Sequence, residues 1–315
     1  MKKALNTLEN KLFSKSDWEK IRKQNSDFTT IILGLDTLLQ QTHNTALSKR
    51  SNPSPPPPSL STFQNLLSSL PTLFHSTLPS KTPKFYIISN KNLQTWLHYA
   101  PPNFSKNTPT LFPTNSTHKI HNSDSKLDFN LWSIEYVIAL YLKEHFPEIK
   151  RIYVVGEQSF CLNIEKLACV KCCGGEDAGK VMEAYDRKCV LCEEDVDAVL
   201  VSMDYRSAFY QMAKTGFYVQ RNKLFFASEA GEESNVLRCK EKEGWLPDFK
   251  PMLKAFETSA MKKATVIGKP NEYAFSKILQ IEGVSVKNAL VLGDSEENDL
   301  IPAKKLGIQY CQIHI

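Results

Sequence analysis

"TTIILGLDTLLQ", Thr29 to Gln40, opens with a continuous apolar run and then meets a single carboxylate, Asp36. A continuous apolar run of this length predicts a strand buried on both faces, the habit of parallel sheets. Asp36 follows at its carboxyl end, and Gly34 stands two residues earlier. In open α/β sheets ligands bind outside the carboxyl ends of the strands. The residues that follow such runs therefore carry the functional reading.

Six further runs have the same character: "KFYIIS" (84–89), "RIYVVG" (151–156), "AVLVSM" (198–203), "LFFAS" (224–228), "ATVIG" (264–268) and "ALVLG" (289–293). Helix-like stretches such as "LWSIEYVIALYLKEHF" and "DYRSAFYQMAKTGF" alternate with them. That alternation predicts α/β layers around a parallel sheet. The 315 residues suffice for about two domains, and 42% hydrophobic against 23% charged residues is an ordinary globular balance. Two stretches, about 43–62 and 100–128, break the pattern. The first contains "SNPSPPPPSL", which cannot be helical; the second is rich in Asn, Ser, Thr and Pro. Both read as surface insertions.

The net charge of +5 comes without a dense Lys/Arg block, so no nucleic-acid footprint is expected. No apolar run reaches the ~18 residues of a membrane span. The segment "MKKALNTLENKLFSKSDWEKIRKQ" lacks a continuous apolar stretch and reads as an amphipathic helix, with Leu5, Leu8, Leu12 and Phe13 on one face, rather than a secretory signal. The expected setting is the cytoplasm, with the eight cysteines as thiols and the sequons at Asn103 and Asn115 unused.

Chemistry-bearing residues stand at four strand ends: Gly34 and Asp36; Ser89 and Asn90; Lys269 and Pro270; Asp294 and, within "GDSEENDL", Asp299. Singly each is ordinary. A Ser-Asn pair is commonly a turn, and an acidic cluster is commonly a solvated helix start. Together and in order, they suit a metal-assisted phosphate site. Asp36, Asp294 and Asp299 are candidate oxygen ligands for Mg²⁺. Lys269 offers a point charge, and Ser89 and Asn90 offer donors to phosphate oxygens. Asp36 suits a general acid that protonates a leaving alcohol and then, as a base, activates water.

With these residues in place, the chain resembles the haloacid-dehalogenase (HAD) superfamily of phosphatases. The resemblance is to the branch of 4-nitrophenylphosphatase and phosphoglycolate phosphatase, which carries a large α/β cap. The family's first motif, Asp-x-Asp-Gly-x-Leu after a strand, falls on Gly34 to Leu39. Its second ends a strand in Thr or Ser and then Asn, here Ser89 and Asn90. Its third, Gly-Lys-Pro, is Gly268 to Pro270, and its fourth is Gly293-Asp294 with Asp299. The resemblance implies a Rossmann-like three-layer core from residues 1–148 and 263–315, with a cap from 149–262. It also implies Mg²⁺ as cofactor, a small phosphorylated metabolite as ligand and a homodimer formed through the cap.

The departures matter as much. In the family the first Asp of motif one is the nucleophile; here Gly34 stands there and offers no side chain for a phosphoenzyme. Thr37 replaces the motif's glycine, and the family's Ala-Thr-Asn strand end reads Ala227-Ser228-Glu229. The expectation is a catalytically impaired phosphatase relative that keeps a phosphate and Mg²⁺ remnant. The alternatives are an active Mg²⁺-dependent phosphomonoesterase working through Asp36, and a non-catalytic interaction protein.

Cys169, Cys172, Cys189 and Cys192 form two Cys-x-x-Cys pairs separated by sixteen residues, a spacing known from four-cysteine zinc sites. Against zinc, "GKVMEAYDRKCVLC" reads as helical, and a free Cys is often a small buried hydrophobe. Cys161, Cys239 and Cys311 read as structural. His118 and His121 lie in the second polar insertion, where a metal role is not expected.

Overall fold

The computed structural model describes residues 28–34, 36, 83–90, 118–122, 127–230, 237–238, 245–246 and 248–313. The expected N-terminal helix, the Pro-rich stretch, both sequons, Thr37 and Cys239 lie outside these residues. The chain divides into two units, Met1–Ser133 with Glu272–Ile315, and Ile134–Asn271. Each is an α/β layer structure built on its own sheet, and all seven strands expected from the apolar runs are present.

The first unit holds a six-stranded sheet. Its strands are β1 (Thr30–Gly34), β2 (Lys84–Ile88), β3 (His118–Asn122), β4 (Leu127–Trp132), β12 (Ala289–Gly293) and β13 (Gln309–Gln312), in the order β13-β12-β1-β2-β4-β3. All pairings are parallel except β3 with β4. Ile31, Ile32, Leu33, Leu290, Val291 and Leu292 of the neighbouring inner strands β1 and β12 are completely buried. Each contributes about 1.5–3 kcal/mol by leaving water, so the continuous apolar runs explain the strands at the middle of the sheet. Helix α5 (Tyr273–Glu282) buries Ala274, Phe275, Ile278 and Leu279, a stripe at helical spacing. It stops at Gly283, whose φ of 62° is open to glycine at little cost. At its last residue, Glu282, the carboxylate accepts hydrogen bonds from Lys84 and Tyr86 of β2. Burial pushes the Glu282 carboxyl up, but these two donors outweigh it and leave its pKa lowered.

The stretch expected as an insertion over 100–128 is corrected here: it contains β3 and the start of β4. Its polar composition hid a strand at the sheet edge. An edge strand needs no continuous apolar run, because one side of it has no partner strand to bury it. His118 and His121 are strand residues.

The second unit holds a five-stranded, wholly parallel sheet in the order β11-β8-β7-β5-β6. The strands are β5 (Arg151–Val155), β6 (Lys171–Cys173), β7 (Ala198–Val201), β8 (Leu224–Ala227) and β11 (Thr265–Val266). Strands β9 (Leu237–Arg238) and β10 (Trp245–Leu246) pair antiparallel in a separate two-stranded sheet. The helices are α1 (Ile134–His145), α2 (Gln158–Ala168), α3 (Phe209–Gln220) and α4 (Phe249–Ala260). Helix α1 packs on α2 and α3 on α4. Tyr153, Val199, Tyr218, Phe225, Phe249 and Phe256 anchor the core. At Gly216 of α3 an added Cβ would lie 2.8 Å from the Ser259 carbonyl of α4. The missing side chain lets the two helices approach closely. The boundaries expected at 148/149 and 262/263 are displaced, since α1 packs within the second unit and β11 pairs with β8 of its sheet.

"GKVMEAYDRKCVLC" is not helical, contrary to expectation. It runs as turns with one short 3₁₀ segment, Arg187–Cys189. A buried polar network fastens this part of the chain. Lys214 of α3 donates to Asp177 at 2.8 Å and to Glu193 at 3.2 Å. Tyr153 donates to Asp177 at 3.1 Å, and Tyr218 donates to Glu193. The Lys214 ammonium also lies 5.0 Å from the centre of the Tyr153 ring. These tertiary bonds override the helical spacing. Among the described residues no helix is long and apolar enough to cross a membrane.

Candidate active site

Strands β1 and β12 run parallel and in register, with Gly34 opposite Gly293. The Asp294 N–H donates to the Gly34 carbonyl at 3.0 Å. This pairing brings motif one and motif four, more than 250 residues apart in sequence, to one sheet end. Strand β2 lies on the other side of β1, with Ile88 opposite Gly34, so Ser89 and Asn90 emerge at the same end. The first unit thus gathers Gly34, Asp36, Ser89, Asn90, Asp294 and Asp299 at the carboxyl edge of its sheet.

The details differ from a ready phosphate cradle. Asp36 is buried, and both its oxygens are engaged. The Ser89 hydroxyl donates to Oδ1 at 2.5 Å, and the Asn90 N–H donates to Oδ2 at 2.9 Å. The two residues expected to hold phosphate are aimed at the acid beside them. Hydrogen bonds to a carboxylate are short and strong, so they fix Asp36 in one orientation. That suits a positioned proton carrier more than a metal ligand. Ser89 is itself fixed, since its N–H donates to the Trp132 carbonyl of β4 at 3.0 Å.

Asp294 is half-buried, and Asp299 is completely buried. Between them the chain makes a tight π-helical turn, Glu296–Leu300, which leads into α6 (Ile301–Leu306). Ser295 caps it: its Oγ accepts from the Asn298 N–H at 3.0 Å. Asp299 returns the favour, with Oδ2 accepting from the Ser295 N–H at 3.3 Å, the reciprocal logic of a capping box. Ser295 was not singled out in the sequence. The signal was there, a Ser followed four residues later by an acid, but it was read only as part of an acidic cluster.

Lys269 belongs to the second unit. It follows β11 in a turn closed by the Asn271 N–H on the Gly268 carbonyl at 2.9 Å. Gly268 in turn donates to the Ser228 carbonyl after β8 at 2.7 Å. Lys269 is buried.

Neither expected metal site is assembled. Among the described residues, no group of three or more His, Cys, Asp or Glu side chains is arranged to hold a metal ion. For zinc the reason is placement. Cys169 ends α2 in a left-handed conformation and is exposed, while Cys172 lies on edge strand β6. Cys189 sits in the 3₁₀ segment. Burial pushes the Cys172 and Cys192 thiols up, and Cys161 up to about 12, whereas zinc binds the thiolate. The expected result is a protein without stoichiometric zinc by elemental analysis, and a melting temperature that a strong chelator leaves unchanged. A full equivalent of zinc would reverse this assignment. For magnesium the reason lies at Gly34, which contributes no carboxylate, and at Asp299, whose carboxylate folds down onto Gly34. The acids share one sheet end without forming a cage.

The comparisons with known proteins bear on the fold and on overall sequence similarity. No protein-family model matches the chain. Phosphoglycolate phosphatase 2 of Arabidopsis thaliana is 24% identical over 180 residues, covering 56% of this chain and 58% of that protein. Glycerol-3-phosphate phosphatase of Rattus norvegicus is 23% identical over 168 residues, covering 53% and 51%. The chain thus spans little more than half the length of the curated relatives it matches. Among solved structures, p-nitrophenyl phosphatase from Archaeoglobus fulgidus aligns over 90% of this chain and 85% of its own, with a TM-score of 0.56 at 14% identity. A glycerol phosphate phosphatase from Mycobacterium tuberculosis, in complex with magnesium, aligns over 90% and 67%, with a TM-score of 0.53 at 13% identity. The structural likeness shows a shared α/β fold, and the sequence is similar to phosphoglycolate and glycerol-3-phosphate phosphatases. NagD from E. coli shares the fold as well, aligning over 90% of this chain and 86% of its own with a TM-score of 0.54 at 14% identity.

Proposed function

We propose that this chain is a HAD phosphatase relative that has lost ordinary turnover and keeps a binding site for a small phosphorylated metabolite. The observation that carries this reading is Gly34. At the head of β1, where the family places its nucleophilic aspartate, there is no side chain, and Asp36 beside it retains its partners Ser89 and Asn90. Covalent phosphoryl transfer needs a nucleophile within reach of phosphorus, and its loss typically removes several orders of magnitude in rate. Any magnesium held here is bound at a weakened site, since Asp294 remains without a carboxylate at position 34 and both oxygens of Asp36 are engaged by Ser89 and Asn90. A reducing, cytoplasmic setting fits the seven described cysteines, none of which forms a disulfide.

The test is hydrolysis of 4-nitrophenyl phosphate with excess magnesium, beside phosphate-induced thermal stabilisation of the same preparation. The expected result is turnover at least about 10³-fold below an intact relative, with a melting temperature raised by millimolar phosphate or phosphoglycolate. Ordinary turnover that Asp36→Asn abolishes would establish an active phosphomonoesterase. Absence of both turnover and stabilisation would leave an interaction protein.

A further inference from the structure

We propose that Gly34 and Gly293 form a side-chain-free slot that receives the carboxylate of Asp299, so that the acid at the head of β1 is supplied from position 299 and excludes any side chain at position 34. The slot is a matter of geometry. Its meaning for phosphate chemistry rests on the reading given under Proposed function.

A Cβ built on Gly34 would lie 2.0 Å from Asp299 Oδ1, 2.2 Å from Cγ and 2.6 Å from Oδ2. All three distances are far inside van der Waals contact. The carboxylate therefore occupies the space that the first atoms of any side chain at 34 would need. On the neighbouring strand a Cβ at Gly293 would lie 2.4 Å from the Asp299 Cβ. The two glycines are register partners, so together they open one continuous gap across the ends of β1 and β12.

Backbone conformation does not explain these glycines. Neither is among the residues with positive φ, and both sit in regular strands where any residue fits. A glycine inside a strand loses packing and adds chain entropy to the unfolded state. Two such residues side by side are explained by the group that fills the space above them. That group is held in place. Asp299 is completely buried, sits in the π-helical turn and accepts from the Ser295 N–H. A capping role alone accounts for the Ser295 bond but not for the missing side chains beneath the carboxylate.

The difference between the two contacts supplies an internal control. Asp299→Ala removes the three nearest atoms that a Cβ at 34 would meet, yet keeps the Asp299 Cβ, the nearest atom that one at 293 would meet, while removing Oδ2 and Cγ at 2.9 and 3.0 Å. Thermal unfolding of Gly34→Ala, Gly293→Ala, Asp299→Ala and the two doubles forms the experiment. Gly34→Ala is expected to lower the melting temperature by about 5 °C or more. In the Asp299→Ala background that loss should fall below half, while the loss from Gly293→Ala persists. If Gly34→Ala fails to fold alone, recovery of soluble protein in the double supports the slot, and failure of both overturns it. Equal losses from Gly34→Ala with and without the carboxylate overturn it too, as does equal relief at both glycines. None of these readouts involves catalysis. A wild-type protein that proves to be an active phosphatase refutes the proposed function and leaves this result standing, and the reverse also holds.

Discussion

Lys214→Met is expected to destabilise the second unit by about 3–5 kcal/mol, lowering its melting transition by roughly 10 °C or more. Lys214 and Asp177 expose only 3% of their side chains each, so water cannot take over from the missing partner. Methionine matches the length of the lysine stem and keeps most of its packing. What is lost is the charge. Asp177 would keep the Tyr153 hydroxyl and a Lys180 ammonium 3.8 Å away, too little to offset a buried carboxylate. Glu193 is 31% exposed and loses less. The double variant Asp177→Asn, Lys214→Met removes both buried charges and should recover more than half of the loss. If the single variant melts within about 2 °C of wild type, the network is ornamental and the irregular segment is held by its apolar contacts.

The same network sets an acid limit. Burial alone would raise the Glu193 carboxyl, but the bonds from Tyr218 and Lys214 outweigh it and leave its pKa below the ordinary value. Its contribution is therefore complete above the usual glutamate pKa of about 4.3 and is lost as pH falls through the lowered folded value. Lys214 itself is depressed by burial and raised more strongly by Asp177 and Glu193, for a net rise. It stays charged throughout that window, so Glu193 is the member of this pair that titrates.

What the sequence disclosed follows from where each strand lies. Strands β1, β7 and β12 are buried from end to end, so their apolar runs had no polar interruption. Strand β6, "KCC", and strand β13, "QYCQ", lie at sheet edges and are partly exposed. Their residues carry no run to read. The stretch around Tyr185 to Cys192 misled for a different reason. Its spacing favours a helix, but its conformation is governed by bonds that Lys214 donates to the flanking Asp177 and Glu193, 37 and 21 residues from it. Local pattern cannot register such partners. At the site, the four motif positions were legible because each follows an apolar run. That Ser89 and Asn90 would serve Asp36, and that Asp299 would lie over Gly34, depended on register between strands distant in sequence.

The occupied slot changes what a reversion of motif one would do. Gly34→Asp alone introduces the acid that the resembled HAD motif carries there but sets its Cβ against the Asp299 carboxylate. The expected outcome is a less stable protein with no more than about threefold gain in 4-nitrophenyl phosphate turnover. Gly34→Asp combined with Asp299→Ala clears the three colliding atoms and leaves one carboxylate at the head of β1, two residues from Asp36. With that carboxylate present, its oxygen can bond to phosphorus while the phosphorus–oxygen bond to the alcohol breaks. Asp36 can supply the leaving alkoxide's proton and then take one from the water that cleaves the acyl phosphate. Loss of a covalent nucleophile costs an established enzyme about 10⁶ in kcat. Recovery of even a ten-thousandth of that in the double variant amounts to a gain of about 100-fold over the wild-type chain. Single-turnover labelling supplies the second readout, since a hydroxylamine-sensitive phosphoryl group on the residue introduced at 34 should form in the double variant and not in Gly34→Asp. Equal activity in the two would mean that Asp299 yields freely to a new side chain, and the slot would not be what keeps position 34 bare.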